Sequence, residues 1–216
     1  MVIPESHRRH ADREVEVMAR TSKMAQGAKP CARERILETA MRLFYAEGLR
    51  AIGIDRIIAE SEVAKMSFYR HFPSKADLVC AFLEERHRRW MAWFDAAVAR
   101  HGRRRRARLP AVADALAEWF AEPTFRGCAF IHTTTEMITP ETREHPTSLA
   151  HKPELGERLA DLARADGLRR PEEVARLALV IVDGAIVRAQ MTGGVAAAED
   201  ARALLEALSA AHGPRK

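Results

Sequence analysis

GLRAIGIDRIIAESEVAKMSFYRHFPSKADL, residues Gly48 to Leu78, is the stretch that decides the fold of the amino-terminal part of this chain. Two sets of apolar residues repeat at helical spacing on either side of a short polar turn, 61–64. They are Ile54, Ile57 and Ile58 before the turn, and Phe68 and Phe72 after it. The stretch therefore predicts two short helices joined by a tight turn, the arrangement with which proteins present one helix to the DNA major groove.

A third helix is predicted directly after this pair. Pro73 ends the second helix, because proline has no backbone N–H and disfavours helical geometry in the residue before it. Ser74 and Asp77 then have the spacing of a capping box, which opens a new helix.

Hydrogen-bond donors crowd the second helix of the pair and its exit. Such groups reach phosphate oxygens or base edges, and here they are Lys65, Ser67, Tyr69, Arg70, His71 and Lys75. Residues 33–79 nevertheless carry 8 Lys and Arg against 7 Asp and Glu, so general basicity does not support DNA binding. From periodicity alone, a small helical bundle with a solvated polar face is the alternative.

The order of residues in this region resembles the amino-terminal domain of the tetracycline-repressor (TetR) family of bacterial transcription regulators. The resemblance covers roughly 33–80 and rests on residues 36–44 with Gly48, on 54–57 and on 63–75, where Tyr-x-x-Phe-x-Ser-Lys is a specific signature. It implies that the second helix of the pair is the recognition helix. The DNA-binding residues that we predict on this basis are Arg50, Lys65, Met66, Ser67, Tyr69, Arg70, His71 and Lys75. Lys65, Met66 and Ser67 would face the groove, and Tyr69, His71 and Lys75 would hold phosphates.

Four positions depart from the family pattern. Ile52 replaces a usual phosphate-contacting Thr, and Gly53 stands where Ser or Thr usually caps the first helix of the motif. Glu62 occupies a turn position where Gly is normal, although positive φ is uncommon for other residues. Ala64 lacks the hydroxyl that would cap the recognition helix, a loss of roughly 1 kcal/mol. These changes bear on operator affinity and base preference.

Composition bounds the class of protein. The 216 residues suit one small and one medium domain, and 47% apolar with 30% charged residues is typical of a soluble globular protein. No apolar run reaches the length of a transmembrane helix, so no membrane partner is expected. Three separated cysteines, at 31, 80 and 128, form neither a disulfide framework nor a zinc pattern, which favours the reducing cytoplasm.

We predict an all-α fold of about nine helices: a three-helix helix-turn-helix DNA-binding domain, followed by a helical ligand-binding and dimerisation domain. Residues 1–30 are expected to be a flexible tail, 31–78 the DNA-binding domain and 79–216 the second domain. An alternative for the tail is an arm that reaches an adjacent groove with Arg8, Arg9, Arg13 and Arg20. The helices are expected near 33–47, within the motif, near 75–100, 109–121, 125–138, 146–166, 171–192 and 196–211.

The net charge of +5 comes from one run, 101–108, which contains five arginines. Such a run can bind the phosphate groups of nucleic acid. The more ordinary alternative is a solvated loop between helices, and the family resemblance implies a position away from the DNA face.

Residues 125–137 differ from an ordinary core helix, because Thr, His and Glu stand among apolar residues. At helical spacing Cys128, His132 and Thr135 share a face, with Glu136 four residues from His132. This combination suits an apolar cavity with a few placed polar groups. The predicted effector site comprises Trp93, Trp119, Phe125, Cys128, His132, Thr135, Glu136, His151 and Asp183. Alternatives are a structural His132–Glu136 hydrogen-bonded pair, or a metal site that adds His145 or His151, although the spacing is not diagnostic.

The last two predicted helices have apolar faces that can meet a second copy of the chain. The helix after Pro171 is apolar nearly all round, which predicts burial on most sides. The final helix has a narrower stripe of small residues, and the family resemblance implies a homodimer through these two helices. Asp183 is expected either to pair with Arg188 or to anchor a ligand.

Together these features predict a transcriptional regulator of the repressor type. It would bind a palindromic double-stranded DNA operator as a homodimer and a small-molecule effector in its second domain, with no cofactor, no metal and no catalysis. The alternatives are a helical protein-interaction module, or an enzyme that uses Cys128, His132 and Glu136.

Overall fold

The computed structural model describes residues 30–103, 107–136 and 144–213, which form nine α-helices and no β-strand. The predicted tail lies outside the described residues apart from Pro30, and so do three residues of the arginine run. In chain order the helices are α1 (Ala32–Glu47), α2 (Ile54–Ser61), α3 (Lys65–His71), α4 (Lys75–Gly102), α5 (Ala111–Phe120), α6 (Ala129–Glu136), α7 (Glu144–Ala165), α8 (Pro171–Thr192) and α9 (Ala196–His212). The all-α prediction is confirmed.

Helices α1 to α3 and the start of α4 surround one small apolar core, and we call residues 31–78 the head. The core side chains come from every element of the head, which fixes the angle between α2 and α3. Its largest fully buried side chains are those of Ile36, Leu43, Ile52, Ile57, Phe68 and Leu78. Ile52, which stands at a phosphate-contacting position in the family, is therefore a core residue here.

The turn between α2 and α3 has the left-handed geometry that the family resemblance implies at this position. Glu62 has φ 53° and ψ 44°, a conformation that costs a residue with a Cβ free energy because its side chain approaches the backbone. Gly53 and Ala64 are the residues before α2 and α3, and neither makes a side-chain capping hydrogen bond. The head is thus held by its core more than by its caps.

Helix α4 joins the head to the rest of the chain, residues 79–216, which we call the body. Ser74 caps its start, since the Ser74 hydroxyl accepts from the Asp77 N–H at 3.2 Å. The helix has 28 residues, a length of about 42 Å at about 1.5 Å per residue. Phe82 lies at the head end of its buried stripe, and Trp90 and Phe94 lie within the body.

The body is a layered bundle in which α8 packs against both α7 and α9, and α9 packs against α5. Sequence patterning predicts burial of α8 on most sides, and the single chain departs from this. Val180 is 68% exposed and Met191 79% exposed, because none of the described helices covers that side of α8. No helix in the described part of the chain combines the length and apolar character needed to span a membrane.

Candidate DNA-binding surface and effector site

Helix α3 is anchored by one side chain and exposes the others. Phe68 is fully buried, and it contacts the ring of Tyr69 edge to face at 5.3 Å. Met66 is 76% exposed and Tyr69 is 39% exposed. Lys65 and Arg70 are also exposed, while Ser67 and His71 are half-buried. Four of the predicted DNA-binding residues, Lys65, Met66, Tyr69 and Arg70, are therefore exposed on one short helix.

Several charged residues of the head form ion pairs with one another. Arg56 bridges Glu47 and Glu60 at 2.6 and 2.8 Å, and Arg42 reaches Glu60 at 2.5 Å. Hydrogen bonds from Arg56 lower the pKa of Glu47, and those from Arg42 and Arg56 lower the pKa of Glu60. Lys65 is only 3.7 Å from the exposed Asp55, a separation at which an exposed pair contributes little. Its ammonium therefore remains available to a DNA phosphate or base.

Lys75, which we predicted to hold a phosphate, has a partner inside the protein. Its ammonium donates to the carbonyl of Leu49 at 2.5 Å, and burial lowers the pKa of Lys75. An ammonium has three donors, so this hydrogen bond leaves donors for a phosphate. Arg50 lies in the same turn with an exposed side chain.

Glu136 joins the body to the head. Its Oε2 atom accepts from the backbone N–H groups of Leu49 and Arg50 at 2.9 and 3.1 Å. The Gly48 backbone is so close that a Cβ there would lie 3.1 Å from Glu136 Oε1. The sequence assigned Glu136 to the effector site with His132 as its partner, and its contacts are with the head instead.

A second joint lies at the other end of the same segment. The Tyr45 hydroxyl of α1 donates to the carbonyl of Gly127 and accepts from the N–H of Arg126, both at 3.0 Å. The guanidinium carbon of Arg86 lies 4.0 Å from the centre of the Tyr45 ring, a cation–π geometry. Burial raises the pKa of Tyr45, so its hydroxyl keeps its proton at neutral pH.

The same segment is also tied to α8. His132 Nε2 lies 2.9 Å from Gln190 Oε1. Gly127 has φ 85°, and a Cβ at this position would lie 2.2 Å from the same Gln190 oxygen. Glycine is therefore required here for two reasons, positive φ and close approach. His132 pairs with Gln190, so the predicted His132–Glu136 pair does not form.

An aromatic cavity lies beneath this segment. Its free volume is about 10 Å³, and its lining residues are Arg86, Trp90, Trp119, Cys128, Ala129, Phe130, His151, Lys152, Leu155 and Ile186. Three predicted effector residues, Trp119, Cys128 and His151, are brought together here. Trp93 and Phe125 are not among the lining residues, but both contact Trp119. Their ring centroids lie 6.0 and 5.1 Å from that of Trp119.

The remaining predicted effector residues are engaged elsewhere. Thr135 is exposed and donates to the carbonyl of His132 at 2.9 Å. Asp183 forms an ion pair with Lys152, while Arg188 lies 3.7 Å from Asp200. The predicted Asp183–Arg188 pairing is therefore wrong, because each residue faces a different neighbouring helix.

His151 is buried between Phe130 and His87. Its ring stacks on Phe130 with centroids 3.9 Å apart, and its Nδ1 is 3.0 Å from Nδ1 of His87. Nε2 of His87 is in turn 2.9 Å from Glu154. Burial, followed by the charge of Lys152, lowers the pKa of His151 to about 3. The contact between the two Nδ1 atoms fixes the orientation of both rings.

The metal alternative gains no geometric support. Within the described ranges, no group of three or more His, Cys, Asp or Glu side chains is arranged to hold a metal ion. The side chain of His145 is outside the described part of the chain. Cys128, His132 and Glu136 have separate surroundings: a buried thiol, a hydrogen bond to Gln190 and a contact with the head.

A larger groove, of about 380 Å³, lies at the far end of α4 between α4 and α7. Three arginines and two aspartates line it, and Arg158 approaches Asp95 to 3.3 Å. It contains none of the residues that the sequence predicts for effector binding.

Several residues of the joints and the cavity were not singled out for these roles from the sequence. Tyr45, Arg86, His87 and Gln190 acquire their roles through partners 41 to 82 positions away, such as Gly127 for Tyr45, 82 positions along the chain. No spacing rule in a single sequence links such pairs.

A helix-turn-helix head with an exposed second helix, joined to a helical body, defines the class of DNA-binding transcriptional regulators. Residues 36–82 match the family model described as bacterial regulatory proteins of the tetR family. Two HTH-type transcriptional regulators of Bacillus subtilis that are described as uncharacterized, YxaF and YerO, are 46% identical over 43 residues and 40% over 52 residues. These matches span 20% and 24% of this chain and only 22% and 18% of the relatives.

Solved structures match over most of the chain. A TetR-family transcriptional regulator from Streptomyces coelicolor is 30% identical with a TM-score of 0.72, over 84% of this chain and 95% of that one. A candidate TetR-type regulator from Streptomyces avermitilis is 27% identical with a TM-score of 0.69, over 83% and 98% of the two chains. The chain belongs to the TetR family of transcriptional regulators.

Proposed function

We propose that the protein is a ligand-responsive transcriptional repressor, which binds a palindromic operator as a homodimer and releases it when a small molecule occupies the body. The observation that carries this proposal is the pair of hydrogen-bonded joints between Tyr45 and Gly127 and between Leu49 and Glu136. Both joints belong to residues 126–136, and the same segment lines the aromatic cavity. A change in the cavity therefore acts on the orientation of the head.

The DNA contacts would be made by α3. Lys65, Met66 and Ser67 stand at its start and would reach base edges, while Tyr69 and Arg70 would reach phosphates. With Ala64 in place of a capping hydroxyl and Glu62 in the turn, the affinity of one head is modest. Two heads on one dimer compensate, because they read two half-sites at once.

The homodimer would form through α8 and α9. Exposed residues of α8 recur with alternating spacings of three and four, the pattern of a coiled-coil seam. They are Leu177, Val180, Gly184, Val187 and Met191, and Leu204 adds to them from α9. Gly184 at the centre of this seam leaves room for the backbone of a second helix. We call these six residues the apolar seam.

The effector would act by differential binding. A ligand that binds more tightly to one arrangement of the head and body shifts the population toward it, and by linkage bound operator weakens ligand binding by the same factor. The hydrogen bonds of Tyr45 contribute about 1 kcal/mol each, and those accepted by the Glu136 carboxylate about 1.5–3 kcal/mol. They can therefore be rearranged within the free energy that a small ligand supplies.

A protein-interaction module is the second candidate, because the apolar seam could also receive another protein. A stable homodimer that covers the seam would argue against it. Catalysis by Cys128, His132 and Glu136 has no geometric support, since each of the three side chains has different surroundings.

The test is fluorescence anisotropy with duplexes from the DNA that flanks the gene of this protein. We expect sequence-selective binding that weakens steeply with salt. Tyr69→Ala should weaken binding to all sequences alike, whereas Lys65→Ala should also relax base preference. Glu84→Gln, an exposed change on α4, is the control. Binding that is absent, or that is insensitive to salt and sequence, would overturn the proposal.

A further inference from the structure

Trp90 carries a buried donor without an acceptor. The residue is 7% exposed, and its indole Nε1 has no hydrogen-bond partner within the described part of the chain. The neighbouring Trp93 differs, because its side chain hydrogen-bonds the carboxylate of Glu118. An unsatisfied donor in a closed cavity costs free energy that a bound acceptor would recover. Trp90 lines the aromatic cavity, so that acceptor would arrive there.

A positive charge stands at the same cavity. Arg86 and Lys152 both line it, and Lys152 is neutralised by Asp183. Arg86 is paired instead with the ring of Tyr45, and no carboxylate lies within ion-pair distance of it among the described residues. A guanidinium binds carboxylates through two parallel hydrogen bonds. The cavity thus offers one uncompensated cation and one unused N–H.

The rest of the cavity lining includes the planar rings of Trp119, Phe130 and His151. Phe130 and His151 stack at an interplanar angle of 7°, and Trp119 meets Trp90 edge to face at 5.6 Å. His151 is buried and neutral, so it presents a ring to the cavity without a second positive charge. Aromatic ligands gain from stacked and edge-to-face contacts with such walls.

We propose that the effector is a planar aromatic carboxylate, whose oxygens accept from Trp90 Nε1 and pair with Arg86 in the aromatic cavity. This inference rests on the proposed function, since it names the chemical class of the ligand that the body would bind.

Binding requires the cavity to open. A free volume of about 10 Å³ holds at most one water molecule, so a ring system enters only if part of the lining moves. Residues 121–128 connect α5 and α6 without helical structure, and they include Cys128 of the lining. Arg126 and Gly127 of this connection hold Tyr45. A ligand that displaces this connection and recruits Arg86 therefore removes three partners of Tyr45 together: Arg126, Gly127 and Arg86.

The test is isothermal titration calorimetry of the full-length protein with three probes that share one ring system. 2-Naphthoate has the ring, the acceptor and the charge; its methyl ester has the ring and the acceptor; 2-methylnaphthalene has the ring alone. We expect one 2-naphthoate per chain, with the ester at least about tenfold weaker, the size of a charge-assisted contact.

Substitutions assign the two contacts. Trp90→Phe removes the N–H together with part of the ring, so it should weaken 2-naphthoate about tenfold more than it weakens 2-methylnaphthalene. Arg86→Gln should weaken 2-naphthoate without affecting the ester, and the matched change Arg88→Gln should alter neither. Equal affinity for the acid and the ester, no binding of 2-naphthoate, or wild-type affinity in Trp90→Phe would each overturn the proposal. The comparison of probes on the wild-type protein decides the question even where a variant fails to fold.

Operator binding in the same samples separates this inference from the proposed function. If the protein binds its operator and 2-naphthoate neither binds nor releases it, the ligand class is wrong and the regulator proposal stands. If no operator is bound with or without 2-naphthoate, the regulator proposal itself fails.

Discussion

Glu136 Oε2, at the end of α6, accepts the backbone N–H of Leu49 in the head at 2.9 Å. The two residues are 87 positions apart in the chain, and the same oxygen also accepts from Arg50. A single carboxylate of the body thus holds the turn that precedes the DNA-reading helices.

Removal of this carboxylate should loosen the head. Glu136→Leu leaves two amides without their acceptor, and we expect a loss of about 1–2 kcal/mol in the free energy of unfolding. Hydrogen exchange of the Leu49 and Arg50 amides should accelerate more than exchange in the core of α1. Glu84→Leu, an exposed change on α4, is the control for the lost charge. Unchanged exchange at both amides would contradict this role of Glu136.

Gly127 should not tolerate a side chain. Gly127→Ala places a Cβ 2.2 Å from Gln190 Oε1 at a φ of 85°, and both effects destabilise, by more than about 1 kcal/mol together. Gly156→Ala is the matched control, because it lies inside α7 with nothing within 4 Å, and it should stabilise by up to about 1 kcal/mol. Urea unfolding measures both. Equal stability of the two variants would contradict the assigned contact.

Stability should fall between neutral and mildly acidic pH because of His151. Its pKa is about 3 in the folded protein and about 6.5 when unfolded, so the unfolded chain binds more protons between these values. The free energy of unfolding therefore decreases as pH falls below 6.5, by at most about 1.4 kcal/mol per pH unit from this residue.

Urea unfolding at pH 7, 6 and 5 measures this effect, since most carboxylates titrate at lower pH. His151→Phe keeps a ring against Phe130 and removes the titration, so its stability should depend less on pH in this range. A variant with the same pH dependence as the wild type would show that His151 does not titrate as its burial indicates.

The apolar seam should hold two copies together. Val180→Glu puts a charge on an apolar side chain that is 68% exposed in the single chain, and in a dimer this charge would be buried without a partner. We expect the mass from light scattering to halve and operator affinity to fall with it. Ala92→Glu, on the exposed side of α4, is the control. A Val180→Glu protein with unchanged mass would exclude this face as the interface.

Local features were predictable from the sequence, and long-range partners were not. The cap at Ser74 follows from residues next to one another, so a spacing rule applies, whereas the left-handed turn at Glu62 was implied by the family resemblance. Glu136 and Asp183 were correctly recognised as unusual, but their partners Leu49 and Lys152 lie 87 and 31 positions away. Helical periodicity gives the face of one helix, and it carries no information about which other helix packs on that face.

The exposure of α8 has a similar explanation. Its apolar residues predict burial, and they do not distinguish burial within one chain from burial between two. Packing against α7 and α9 covers one side only, and the remaining side is the apolar seam.

The most direct test of the central claim is selection of bound sequences from a randomised duplex library by the purified full-length protein. A dimeric TetR-type regulator should enrich an inverted repeat of two half-sites, with affinity that falls steeply as salt rises and a clear loss of enrichment for Val180→Glu. Recovery of no common sequence, or of a single half-site with the same affinity for wild type and Val180→Glu, would contradict it.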